Sequence, residues 1–138
     1  MLVNNYDYSE FLLFNITTDT GTLTNASGST ITLNMGTAIG RIAATGLLVQ
    51  QVSTATDGSQ VPIGLLATGY VIPTGTSQVM TYVKAGEVNA QQVQLSAGDT
   101  LLTSITDNST HLGTIGDILA GKGILLKGGT NINYLDTQ

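Results

Sequence analysis

Asp57-Gly58-Ser59-Gln60-Val61-Pro62-Ile63-Gly64-Leu65-Leu66-Ala67 is the stretch that decides the fold class. Asp57-Gly58 is a strong turn pair, because glycine takes a positive φ without the steric cost that a side chain imposes. Pro62 lacks an N–H, which is harmless at the start or edge of a strand, and Pro73 reads the same way. Residues 63–67 then form an apolar run of buried-strand length. A tight turn feeding a short buried strand belongs to an all-β protein.

The flanks repeat the theme. Upstream, residues 38–43 and 47–52 flank Thr45-Gly46, a hairpin-like break, and Thr30-Ile31-Thr32-Leu33-Asn34 alternates with the period of a half-buried strand. Downstream, Val79-Met80-Thr81-Tyr82-Val83 alternates again. Glycine punctuates the chain about every ten residues, the spacing of a barrel or sandwich of short strands. Two short helices are expected. Asn89 caps a turn or two through residues 90–93. Residues 113–121 hold the other, with Ile115, Ile118 and Leu119 at helical spacing and Gly121 as the stop. Residues 123–127 read as a closing strand. No internal repeat of fixed period is present, so a solenoid is not supported.

Residues 15–36 differ from the rest: they are rich in Thr, Asn, Ser and Gly, with no aromatic and few large apolar side chains. Such a segment buries too little apolar surface to fix itself, although it can still pair as an extended strand. The expected organisation is therefore an N-terminal arm, residues 1–35, and a compact β-rich domain, residues 36–138.

Composition narrows function by exclusion. The 138 residues include no cysteine, which removes disulfide scaffolds, zinc ribbons, iron–sulfur sites and thiol chemistry. Charged residues are 9%, against ~25% in ordinary soluble proteins, so Thr, Ser, Asn, Gln and Gly supply the polarity instead. Four basic residues against nine acidic ones cannot form the cationic stripe that nucleic-acid phosphates require. Residues 1–14 carry no Lys or Arg, and Phe11-Leu12-Leu13-Phe14 is too short for the apolar part of a secretory signal. No stretch approaches the ~18 apolar residues of a membrane helix. The expectation is a soluble chain made in a cytosol, with no membrane or direct nucleic-acid partner.

No motif reads as catalytic, cofactor-binding or metal-binding. Gly116-Asp117-Ile118-Leu119-Ala120-Gly121-Lys122-Gly123 has the glycine and lysine spacing of a phosphate-binding loop. Gly123 stands where that loop needs a magnesium-binding hydroxyl, Asp117 opposes phosphate, and a strand-like run follows where a helix must. The helix-stop reading is the better one. Asp107, Ser109 and His111 are neighbours in sequence, but triads assemble by geometry, usually from distant segments, and residues 106–110 read as a polar loop. With a single histidine, a zinc site would need carboxylates for nearly all its ligands. The sequons at Asn15, Asn25 and Asn108 are expected by chance in so Asn- and Thr-rich a chain.

Three blocks carry a resemblance. The first is Gly36-Thr37-Ala38-Ile39-Gly40-Arg41-Ile42 with Ala44-Thr45-Gly46. The second runs Asp57-Gly58-Ser59-Gln60-Val61-Pro62-Ile63-Gly64-Leu65-Leu66, and the third is Val83-Lys84-Ala85-Gly86-Glu87-Val88-Asn89. In this order they resemble bacteriophage head decoration proteins of the lambda-like type, over residues 36–95 and more weakly over residues 117–126. The resemblance implies a mainly β fold: a β-clip-like small barrel with one or two short helices and an extended N-terminal arm. It implies a non-enzymatic cement protein that binds as a homotrimer on the outer surface of the expanded phage head, with the major capsid protein as partner. It also implies that the arm adds a strand to a capsid-protein sheet, which would engage Asn15, Ile16, Thr17, Thr22, Leu23 and Thr24. Asp57 and Gly58 are the expected structural turn. Two departures stand out: residues 1–14 are more apolar than such an arm, and from Gly128-Gly129 onward the chain matches no family motif and reads as a loose tail. Two rival readings stand beside it. A host-binding fibre or adhesin-type β module shares the composition. A trimeric nucleotide hydrolase of the β-clip type finds only a thin echo in Gly128-Gly129-Thr130.

Overall fold

A computed structural model describes residues 11–128, and within them the protein is mainly β. The first six strands are β1 (Leu12–Thr24), β2 (Ile31–Leu33), β3 (Ala38–Arg41), β4 (Leu48–Gln50), β5 (Gly64–Leu66) and β6 (Tyr70–Ile72). The long β7 (Ser77–Asn89) follows, then a single 3-10 turn at Ala90–Gln92, β8 (Ser104–Asp107), β9 (Thr110–Thr114), α1 (Ile115–Gly121) and β10 (Ile124–Lys127). The main sheet runs β1-β7-β5-β3-β4, antiparallel throughout, and β10 joins β7 in parallel. Two small sheets, β2–β6 and β8–β9, complete the fold.

β7 is the spine. One side of it pairs with β1 along nearly its whole length, and the other pairs with β5 at Tyr82 and Val83 and with β10 at residues 86–89. Successive residues of a strand point to opposite faces, and here both faces are covered. Ala38, Leu65 and Val83 enter one core, with Phe11, Ile105, Ile115, Leu119 and Ile124. Their chain neighbours Ile39, Leu66 and Tyr82 enter a second core, with Leu23, Leu33, Leu48, Ile72 and Met80. The continuous apolar run at residues 63–67 therefore makes sense: β5 has no solvent side, and all three of its residues are buried.

The sheet curls but does not close into the expected barrel; β1 and β4 remain its two edges. β4 packs across the core-facing side of β1 instead of pairing with it: Leu48 lies against Gly21, so that a Cβ placed there would sit 2.6 Å from Leu48 Cδ1.

The expected arm divides in two. Residues 1–10 lie outside the described residues, as does the expected tail from Gly129. Residues 11–35 are built into the body rather than standing apart from it. β1 pairs with β7, β2 pairs with β6, Phe11 and Leu23 are buried, and the Phe11 carbonyl accepts the N–H of Asn89 at 2.8 Å. Buried Asn25 locks the exit from β1: its amide donates to the carbonyls of Ser29 and Ile72, and its Oδ1 accepts the N–H and hydroxyl of Ser27. The composition argument weighed only what this segment could bury by itself. β7 supplies both the ladder and the core.

The helical expectations shift by small amounts. Asn89 does cap the 3-10 turn, its side chain accepting Gln91 N–H at 2.9 Å. α1 opens on a capping box between Thr114 and Asp117. Its cap is Lys122, with Gly123 in the left-handed conformation (φ 87°), so the stop lies two residues beyond Gly121. Residues 106–110, read as a loop, are the tip of the β8–β9 hairpin. Asn108 (φ 49°) and Ser109 (φ 69°) form its two-residue turn, with both central residues at the positive φ that such hairpins favour.

Candidate functional site

Three places gather exposed polar groups: a cleft, a turn and a strand edge. The cleft, about 360 Å³, lies between residues 53–60 and the β8–β9 tip, and its side chains are hydroxyls, amides and a methyl, from Ser53 and Thr56 to Gln60 and Asn108. Its floor is already satisfied. The Gln60 amide donates to Asp107 Oδ1 at 3.2 Å, and its Oε1 accepts Gly58 N–H at 2.9 Å. Behind it Asp99 accepts the N–H and hydroxyl of Ser53 and the hydroxyl of Ser96. Burial raises the Asp99 pKa, but those serine bonds outweigh it and hold the carboxyl below its usual value. The group is a clasp between two loops. His111 is exposed on β9, and Asp107 is occupied by Gln60. Among the described residues no group of three His, Asp or Glu could share a metal ion. The phosphate-loop pattern spans α1 and its C-terminal cap, and its backbone N–H groups are engaged within the protein: Gly116 N–H donates to the Leu101 carbonyl, Asp117 N–H to Thr114 Oγ1, and Lys122 N–H to the Ile118 and Leu119 carbonyls.

The turn is structural in its geometry. Asp57 Oδ1 accepts the hydroxyl of Ser59 at 2.5 Å and its N–H at 3.0 Å, and these bonds lower the Asp57 pKa. Gly58 has φ 99°, and a Cβ there would lie 3.1 Å from Ala43 Cβ. The Asp57 carbonyl accepts Ala43 N–H, which pins the turn to the end of β3.

The edge is β1. The six residues singled out in sequence all lie on it, but not equivalently. Asn15 (φ 56°) sits in an irregular stretch opposite Gly86 (φ 127°), where the register slips. Ile16 packs on the first core, and Leu23 is buried in the second. Thr17 is exposed opposite Ala85; Thr22 pairs with Val79; Thr24 pairs with Ser77, their hydroxyls 2.9 Å apart. From Thr18 to Thr24 the ladder with β7 runs without a slip. Among the described residues no strand pairs with the other side of β1. The six therefore share a strand, yet Ile16 and Leu23 have their side chains committed inward. What the strand presents outward is backbone and threonine.

Comparison with known families supplies the context. The profile of the bacteriophage lambda head decoration protein D family matches residues 4–116, from before β1 into the first turn of α1. The chain belongs to that family. It is thus a phage head decoration protein, a structural component associated with the capsid of the virion. No curated protein matches it significantly. The family match includes all of β1 and the whole spine β7, so the edge belongs to the shared part of the decoration protein; β10 lies beyond the match. The sequence reading missed one residue of this site, Asp19. The signal was available: Thr18-Asp19-Thr20-Gly21-Thr22-Leu23-Thr24 places threonine at every second position, with a single charge among them.

Proposed function

We propose that this head decoration protein is a cement: it binds as a homotrimer on the outer surface of the expanded head and ties neighbouring copies of the major capsid protein together. The observation that carries this reading is the outward side of β1, a regular seven-residue edge from Thr18 to Thr24 paired along its inner side with β7. An exposed edge is a template for strand addition, in which main-chain bonds give affinity. Because β1 is already ordered on β7, docking avoids the ~1–2 kcal/mol per residue that ordering a free arm costs. Three such edges in one trimer gain from multivalency, since the first engaged edge raises the effective concentration of the other two. Expansion of the shell would expose the matching capsid edge. No chemistry at the site is needed for this role.

The test is Thr22→Pro. Proline removes an outward N–H and is tolerated at strand edges. The variant should melt close to the wild type in solution and fail to decorate purified expanded shells in a cosedimentation assay. Full occupancy by a folded variant would reject strand addition through β1.

A further inference from the structure

The direction of the β1 edge can be read from its neighbour. The Thr81 carbonyl accepts Ala67 N–H at 3.1 Å, and the Thr81 N–H donates to the Tyr70 hydroxyl at 2.8 Å. Both groups therefore point away from β1. Thr20 is the antiparallel partner of Thr81. Opposed residues in an antiparallel ladder exchange both backbone bonds or neither, so Thr20 also turns its N–H and C=O away from β7. Thr18 and Thr22, two residues to either side in an unbroken register, do the same.

One donor on this outward row is already taken. Thr20 N–H donates to Oδ1 of Asp19 at 2.8 Å. Asp19 is exposed and is the single charge between Leu12 and Thr24. By strand alternation it shares a face with Gly21, which lies against Leu48, and with Leu23, which is buried in the second core. An edge strand thus carries a charged residue on its inward face, folded back to cap the middle of its own free side. Charges placed this way blunt edge-to-edge pairing.

We propose that Asp19 gates the β1 edge: it refuses a second copy of this chain and admits an extended strand that sets a Lys or Arg beside the carboxylate. Two copies pairing antiparallel through their edges would bring two Asp19 carboxylates into one short ladder and leave each competing for a Thr20 N–H. A strand with a basic side chain there takes over the carboxylate and frees that N–H for its own carbonyl. The proposal deepens the strand-pairing reading of β1, but its test uses the isolated protein, so it is decided separately from whether the capsid uses this edge.

Two measurements on the full chain test it. In sedimentation velocity, Asp19→Thr should form species larger than the wild-type state at equal concentration. Adding Thr22→Pro to that variant should reverse the change, and Asp19→Lys should behave as wild type. In fluorescence anisotropy, a labelled Thr-Val-Thr-Lys-Thr-Val-Thr peptide should bind more tightly than its Glu counterpart by roughly two- to fivefold, the range of exposed ion pairs. That preference should vanish in Asp19→Asn, which keeps an acceptor for Thr20 and loses the charge. The gate is overturned if Asp19→Thr sediments as wild type, if its association survives Thr22→Pro, if neither peptide binds, or if Asp19→Asn keeps the preference.

Discussion

Deleting residues 1–25 should unfold the protein. The cut removes β1, and with it two anchors in different cores. Phe11 is 1% exposed and Leu23 is 2% exposed. Truncating a buried Phe costs about 3–5 kcal/mol and a buried Leu about 2–5 kcal/mol. The two are far apart along β1 and enter separate cores, so their costs should add, to about 5–10 kcal/mol. Asn25 adds to this, since its loss leaves the Ile72 carbonyl without a partner on its side chain. Native domains hold only about 5–15 kcal/mol in total. Thermal unfolding followed by circular dichroism tests this, with Leu23→Ala as a milder step that should lower the melting temperature by several degrees. A 1–25 deletion that still melts cooperatively near the full-length temperature would show that β1 is a detachable arm, and the reasoning from burial would fail.

Three further outcomes follow from local geometry. Gly86→Ala should destabilise by about 1–3 kcal/mol in denaturant titration, because φ is 127° and the new Cβ would lie 2.8 Å from the Asn15 carbonyl. Ser109→Gly should stabilise by roughly 0.5–1 kcal/mol, measured the same way, since it relieves a left-handed serine in the β8–β9 turn. Asp99 has a folded pKa below its unfolded value of 3.8, so its clasp stabilises fully above that value and is lost as pH falls through the lowered folded value. The stability gap between wild type and Asp99→Asn, measured by denaturant midpoints, should therefore be present at pH 7 and shrink in strong acid.

The strands with their own apolar pattern were legible in sequence. Residues 63–67 contain β5, residues 30–34 contain β2, and Asn89 marks the 3-10 turn, because in each case the deciding signal is local. What escaped depended on distant partners. β1 has threonine at five of its thirteen positions and is largely exposed, and it is fixed by Phe11 in one core and Leu23 in the other, neither of which alters the average composition of the segment. The β8–β9 hairpin hides in a polar run because its turn uses Asn108-Ser109 where Asn-Gly would have announced it. That β1 and β4 stay unpaired and leave the sheet open is a matter of distant partners that no periodicity encodes. The six residues named as a capsid-binding arm lie on one strand, but the orientation of that strand was not legible. Which threonines face outward, and that Asp19 caps one of them, emerges only from the register with β7.

The central claim is that β1 stays on β7 and offers its outer side to the capsid. The most direct measurement is a cryo-electron microscopy map of expanded heads decorated with the full-length protein, at a resolution that separates strands. The account predicts a capsid-protein strand running beside Thr18–Thr24 at the ~4.8 Å ladder spacing, with β1 still paired to β7. A map in which the outer side of β1 faces solvent, or in which β1 has left β7, would contradict it.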